Sequence, residues 1–326
     1  MKKNKLLTII WLLIITIIPI NVLAYSDFII PGGANVGIEV NSDGVLVVGF
    51  YEVDNKLIAK DNGFKIGDRI IKVNDSKVNS IDDMVNVVKE SNSEIVNYTV
   101  IRDNNEIILK TNRINQDGVY KTGIYVKDSI QGIGTLTFID PGTLKFGALG
   151  HEILEKTTSK KFEIKDGKIF KSDVTSINKS EDGKAGEKNA RYDRSKVYGN
   201  ITENTTSGIF GDYTAKLPNE EKLKVGTEKD IHLGDAKIRT VINNDEVKEF
   251  KINIIKLNPN SDTKNILFEI VDNELLENAG GVVQGMSGSP ILQDDKIVGA
   301  VTHVIVNDSK KGYGIFITTM LKEADN

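Results

Sequence analysis

From Val119 onward the chain is written almost wholly in short β-rich runs, and this limits what it can fold into more than any other feature. Residues 123–126, 134–139, 238–242, 250–257, 266–271 and 296–306 each read as a strand, with turn residues between them. No long amphipathic helix interrupts the series, so this half predicts an all-β sandwich or a pair of barrels. Its polar stretch 171–194, rich in Lys, Asp, Ser, Asn and Gly, reads as a surface loop. The chain has no cysteine, which excludes disulfides, thiolate metal sites and a thiol nucleophile. Its 326 residues leave room for about two domains held by their cores alone. A net charge of -4 supplies no basic stripe for phosphates, which excludes nucleic acid as the main partner.

The first 24 residues differ from the rest. Lys2, Lys3 and Lys5 precede the apolar run 6–18, followed by Pro19 and Val22-Leu23-Ala24. This is the layout of a secretory signal, cut after Ala24 or kept as a membrane anchor, and it implies export across the cytoplasmic membrane.

Residues 32–113 form the expected first domain. Runs 36–40 and 44–50 flank Asn41-Ser42-Asp43-Gly44 and predict a hairpin. A Gly67-Asp68 turn opens the strand 69–73. Ser80 is placed to cap a helix, with Asp83 at its third position and Ile81, Met84, Val85, Val87 and Val88 as its apolar stripe. Strands 95–102 and 106–111 complete the unit. The G-D-x-I-x-x-V-N element followed by a short helix resembles a PDZ domain of the bacterial protease-associated kind. The resemblance implies that Val36, Gly37 and Ile38 receive a peptide end or backbone, with residues 38–40 as an edge for β-augmentation. The same fold with its groove filled by its own chain would be a spacer.

The chemistry concentrates in Gly285-Met286-Ser287-Gly288-Ser289-Pro290. In serine proteases of the two-barrel type, G-x-S-G-x-P forms a tight loop that presents a hydroxyl nucleophile. The amides of Ser287 and Gly285 would then form an oxyanion hole. The same residues also suit an ordinary turn. Of the three histidines, His151 in Phe146-Gly147-Ala148-Leu149-Gly150-His151 is the candidate general base, or else a turn residue in a Gly-rich segment. Asp272 follows a strand and precedes the serine loop, so it can orient an imidazole or cap a helix; Asp212 is the alternative carboxylate. His303 lines a specificity pocket or sits in a core strand, and His232 reads as structural. No metal or phosphate-loop motif is present, and the hydrolysis needs no cofactor.

Together, the exported N-terminus, the PDZ-like unit and three runs, 132–138, 146–151 and 281–290, resemble the stage IV sporulation protein B peptidase family over nearly all of the mature chain. The resemblance implies a mainly β chain, a PDZ domain at 32–113 followed by a trypsin-like double β-barrel at 114–326. It carries the catalytic serine to Ser287, the histidine to His151 and the acidic partner to Asp272, although 15 residues before the serine is an unusual place for that aspartate in two-barrel proteases. It also implies a setting: the space between the two membranes around a forespore. There the enzyme cuts itself and a membrane-bound regulator of an intramembrane metalloprotease, which activates a late sporulation sigma factor. A catalytically silent exported PDZ scaffold is the rival expectation.

Overall fold

In the computed structural model, which describes residues 25–325, the β-rich pattern closes into two barrels. The segment 1–24, read as a signal or anchor, lies outside the described residues. The chain enters through β1 (Phe28–Pro31) and β2 (Asn35–Phe50), then departs into an inserted unit. This unit holds α1 (Ile58–Asp61), β3 (Arg69–Val73), β4 (Ser76–Lys77), α2 (Ile81–Glu90), β5 (Ile95–Arg102) and β6 (Asn105–Asn112). A small hairpin of β7 (Ile114–Gln116) and β8 (Val119–Lys121) follows. The chain returns along β9 (Ile124–Ile139), β10 (Lys145–Ala148), β11 (Ile164–Asn178), β12 (Gly186–Thr205) and β13 (Gly208–Tyr213). Pairing runs β2, β9, β10, β13, β12, β11 and back to β2, antiparallel at every step, so these six strands form a closed barrel.

After β14 (Leu223–Val225) come β15 (Gly234–Val241), β16 (Val247–Leu257), β17 (Ile266–Ile270), α3 (Asn273–Ala279), β18 (Val283–Gln284), β19 (Pro290–Gln293), β20 (Lys296–Val304), β21 (Lys311–Phe316) and α4 (Ile317–Ala324). Here the order β15, β16, β17, β21, β20, β19 and back to β15 closes a second antiparallel barrel of six. The mainly β, double-barrel class expected from the sequence is the one the chain adopts. Closure provides edge satisfaction that open sheets lack, and alternate side chains fill each interior. Val36, Ile38, Phe146 and Ile169 fill the first barrel; Ile238, Phe250, Phe268 and Ile291 fill the second. Each fully buried Phe contributes roughly 1.5–3 kcal/mol by leaving water. Ile29, Phe138, Phe210, Ala300 and Met320 form a third apolar layer that holds the barrels together.

The structure corrects three local expectations. Asn41 to Gly44 does not close a hairpin: β2 runs straight through as one bent strand. Its first half pairs with β11 and β9 in the barrel, and its second half pairs with β3 and the start of β9 in the inserted unit. Turn-forming residues yield here because partners are available on both sides of the strand. The chain before residue 42 therefore belongs to the first barrel, although the sequence groups it with the inserted unit. Residues 171–194 are for the most part not a loop but the facing ends of β11 and β12, joined by a turn at 179–185 and paired in a ladder interrupted by irregularities; most of their polar side chains face solvent, whereas Ser172, Ser180 and Lys188 are buried. In the inserted unit Ser80 does cap α2, its hydroxyl accepting the Asp83 N–H at 3.1 Å. Met84 and Val88 are buried, whereas Val85 turns outward and is half exposed.

Candidate active site

Ser287 stands in the turn between β18 and β19. It is the one residue of 285–290 that is not buried. Gly288 has φ +92°, and a Cβ there would lie 2.1 Å from the Thr135 carbonyl oxygen, so the turn needs a residue without a side chain. What presses so close is β9 of the other barrel. The Thr135 N–H donates to the Ser287 carbonyl at 3.0 Å, and the Thr135 hydroxyl donates to the Gly285 carbonyl at 2.8 Å. Two residues along the same face, the buried Thr137 hydroxyl donates to the Gly288 carbonyl at 2.8 Å. One strand of the first barrel thus grips the serine turn of the second through three hydrogen bonds. With its carbonyls so held, the Ser287 N–H is left without an acceptor among the described residues.

His151 follows β10. Leu149 and Gly150 both take positive φ, 69° and 72°, and this double left-handed step swings the chain out of the barrel. The segment beyond is clamped by buried Asn204, whose side-chain oxygen accepts the Ile153 N–H at 2.8 Å while its amide donates to the carbonyls of Ile153 and Phe162. His151 Nδ1 lies 2.8 Å from the Glu152 carbonyl oxygen. A carbonyl can only accept, so Nδ1 carries the proton of the neutral ring and Nε2 keeps its lone pair. That is the tautomer a general base requires.

Ser287, Gly285, His151 and His303 line one cleft of about 500 Å³, whose apolar wall includes Ile130 and Ile133. The His303 ring is 5.3 Å from that of His151, tilted by 39°. Loss of hydration on its packed side, then the neighbouring His151 and Lys264, push His303 down to about 4, although part of its surface is open to solvent. It therefore faces the cleft as a neutral ring at neutral pH. The Ser287 hydroxyl donates to the Thr302 carbonyl at 2.9 Å. Among the described residues no hydrogen bond joins it to His151.

The expected carboxylates are elsewhere. Asp272 caps α3: one of its oxygens accepts the Leu275 N–H at 3.2 Å and the other the Lys251 N–H at 3.1 Å. Both oxygens are occupied by main-chain amides, and the residue does not line the cleft. Asp212 projects from β13 and pairs with Lys145 at 2.8 Å, exposed to solvent. Val36, Gly37 and Ile38 also leave their expected place. They are interior residues of β2, paired with Lys171, Phe170 and Ile169 on one side and with Gly134, Ile133 and Gly132 on the other, so this segment has no free edge for a peptide. His232 pairs with Asp294 on an exposed loop. Thr135, Thr137, Thr302 and Asn204 were not singled out in the sequence. Only the threonine pair left a trace, two hydroxyls two apart in Gly134-Thr135-Leu136-Thr137.

A hydroxyl, an imidazole with a bare nitrogen and an unpaired amide in one cleft are the parts of an acyl-transfer site. A sequence model of the family described as SpoIVB peptidase S55 matches residues 118–321. No curated protein matches the chain. Similar solved structures include the active form of the Rv3671c protease from M. tuberculosis, 15% identical with a TM-score of 0.32, covering 58% of this chain and 71% of that one. The inactive form of the Rv3671c protease is 13% identical with a TM-score of 0.31, covering 59% and 84%.

Proposed function

Because the chain belongs to the SpoIVB peptidase S55 family and is a serine endopeptidase, we propose that Ser287 is its nucleophile and His151 its general base. We further propose that it acts after export, on itself and on a membrane-associated regulator in a sporulation signalling pathway, in the space between forespore and mother cell. The observation that supports the chemical reading is that Ser287, the one residue of the turn that is not buried, lines the same cleft as a histidine whose Nδ1 faces the Glu152 carbonyl.

On this reading the steps are as follows. The Ser287 hydroxyl first rotates away from the Thr302 carbonyl, and its proton passes to His151 Nε2 as Oγ bonds to the scissile carbonyl carbon. The carbonyl oxygen takes the negative charge and is met by the Ser287 N–H, with the Gly285 amide completing the hole. The C–N bond breaks as His151 returns the proton to the departing amine. Water then attacks the acyl group, His151 takes its proton, and Ser287 leaves with that proton restored. The imidazole is oriented by the Glu152 carbonyl rather than by a carboxylate. Expression of the full chain beside a Ser287→Ala copy tests this reading: trimmed species are expected from the parent alone, and identical trimming in both would contradict it.

A further inference from the structure

His151 takes its tautomer from the Glu152 carbonyl, which accepts from Nδ1. That carbonyl shares one planar peptide unit with the Ile153 N–H, and in a trans unit the two groups point in opposite directions. Whatever holds the N–H therefore fixes the direction of the carbonyl. The Ile153 N–H donates to the Asn204 side-chain oxygen at 2.8 Å. From its other end the Asn204 amide donates to the carbonyls of Ile153 at 3.1 Å and Phe162 at 2.9 Å. Two donors face two acceptors there, so the atom turned to the Ile153 N–H must be the oxygen.

The barrel sets Asn204 in this place. It pairs with Ile209 of β13, which pairs in turn with Ala148 at the end of β10, three residues before His151. The register of β12 against β13 shifts between Ile201 and Glu203, and Thr202 and Glu203 are exposed in succession. Plain alternation from buried Ile201 would aim position 204 outward; the extra residue turns it in. The Asn204 side chain is buried as a result. A buried amide is costly unless its polar atoms are paired, and all of its hydrogen bonds go to the loop that carries His151.

The geometry points to Asn204 as the positioning residue of the general base: it holds the 152–153 peptide unit so that the Glu152 carbonyl faces His151 Nδ1 and Nε2 keeps its lone pair for Ser287. This rests on the peptidase reading above and names what fills the orienting role that Asp272 and Asp212 do not. Imidazole, peptide unit and side-chain amide form one chain in which each hydrogen bond polarises the next. An aspartate at this position would accept from the Ile153 N–H but set its second oxygen against two carbonyls, with nothing to donate. The role therefore asks for an amide. Asn204 does not line the cleft, so its effect falls on turnover rather than on substrate binding.

The test compares the full chain with its Asn204→Ala variant. A misplaced base costs turnover, so kcat should fall about tenfold or more while KM stays within about threefold, and fluorophosphonate labelling of Ser287 should slow in step with kcat. A parental kcat, or a change confined to KM, overturns the proposal. Imidazole ¹⁵N NMR gives a signature that loss of stability alone would not: with only three histidines in the chain, the His151 signals are assigned by their absence from His151→Ala. The neutral ring should carry its proton on Nδ1 in the parent and on both nitrogens in exchange in Asn204→Ala; the same tautomer in both overturns the proposal. Should the variant fail to fold, hydrogen exchange in the parent decides. The Ile153 amide should exchange about a hundredfold or more slowly than an unbonded one, and exchange at the open-chain rate overturns the proposal. No labelling of Ser287 in the parent removes the peptidase reading and this proposal with it; normal labelling there and an unchanged rate in folded Asn204→Ala removes the proposal alone.

Discussion

At the scale of single residues, the two charged or polar groups that matter most are not where sequence spacing puts them. Asp272 is saturated by two main-chain amides at the start of α3. Asparagine keeps the cap on Leu275 and gives up only the acceptor for the Lys251 N–H, far from the cleft. Asp272→Asn should therefore leave kcat/KM within about threefold of the parent, measured on a peptide substrate; a hundredfold loss would return this residue to the catalytic apparatus. Lys188 is the reverse case, a residue with no signal in the sequence. It is buried, donates to the Thr240 hydroxyl at 2.8 Å, and lies behind the serine turn, where a Cβ on Gly285 would approach its side chain to 3.2 Å. Burial pushes its amine down to about 7. Between about 7 and the ordinary lysine range the unfolded chain holds a proton that the folded one lacks, so stability rises with pH across that window and its penalty is fully present below 7. The slope contributed approaches about 1.4 kcal/mol per pH unit. Denaturant titrations from pH 7 to 10 should show this slope in the parent and its disappearance in Lys188→Met; parallel profiles would place a partner charge beside the amine.

At the scale of elements, the legible features were those fixed by local chemistry. The cap at Ser80, the strand 95–102, the strand read at 266–271, which ends at Ile270, and the tight turn around Ser287 follow from residue type and period, and the structure has all of them. What was hidden depends on distant partners. Nothing in Asn41-Ser42-Asp43-Gly44 tells the chain not to turn; only β11, β3 and β9, supplied from elsewhere in the sequence, keep β2 extended. The polar run 171–194 looks like a loop because its hydrophobic content is low, yet most of its backbone is drawn into the β11–β12 ladder. Ser287 and His151, proposed as nucleophile and base, were readable as residue types, whereas the threonine grip and the Asn204 clamp are three-dimensional facts. Because β1 and the first half of β2 belong to the barrel, a fragment spanning 114–326 lacks a wall of its catalytic domain. Such a fragment should show no cooperative thermal transition and rapid proteolysis; a cooperative melt like that of the longer chain would show that the barrel closes without β2.

At the scale of the whole molecule, the two barrels meet where β9 holds the serine turn, and the inserted unit hangs from the same β9 and from β2. The Ser287 turn and the insertion are thus joined through one continuous strand, which also pairs with β10, the strand that leads to His151. Beyond the family and the endopeptidase activity, we propose that Ser287 and His151 carry out the chemistry without Asp272 or Asp212, Glu152 being the one acidic residue that lines the cleft. The most direct measurement is mass spectrometry of a fluorophosphonate adduct on the intact protein, its Ser287→Ala and His151→Ala variants, and Asp272→Asn. The adduct should map to Ser287, be absent from Ser287→Ala, form at least a hundredfold more slowly in His151→Ala and at a near-parental rate in Asp272→Asn. Labelling at another serine, or undiminished labelling without His151, would contradict the account.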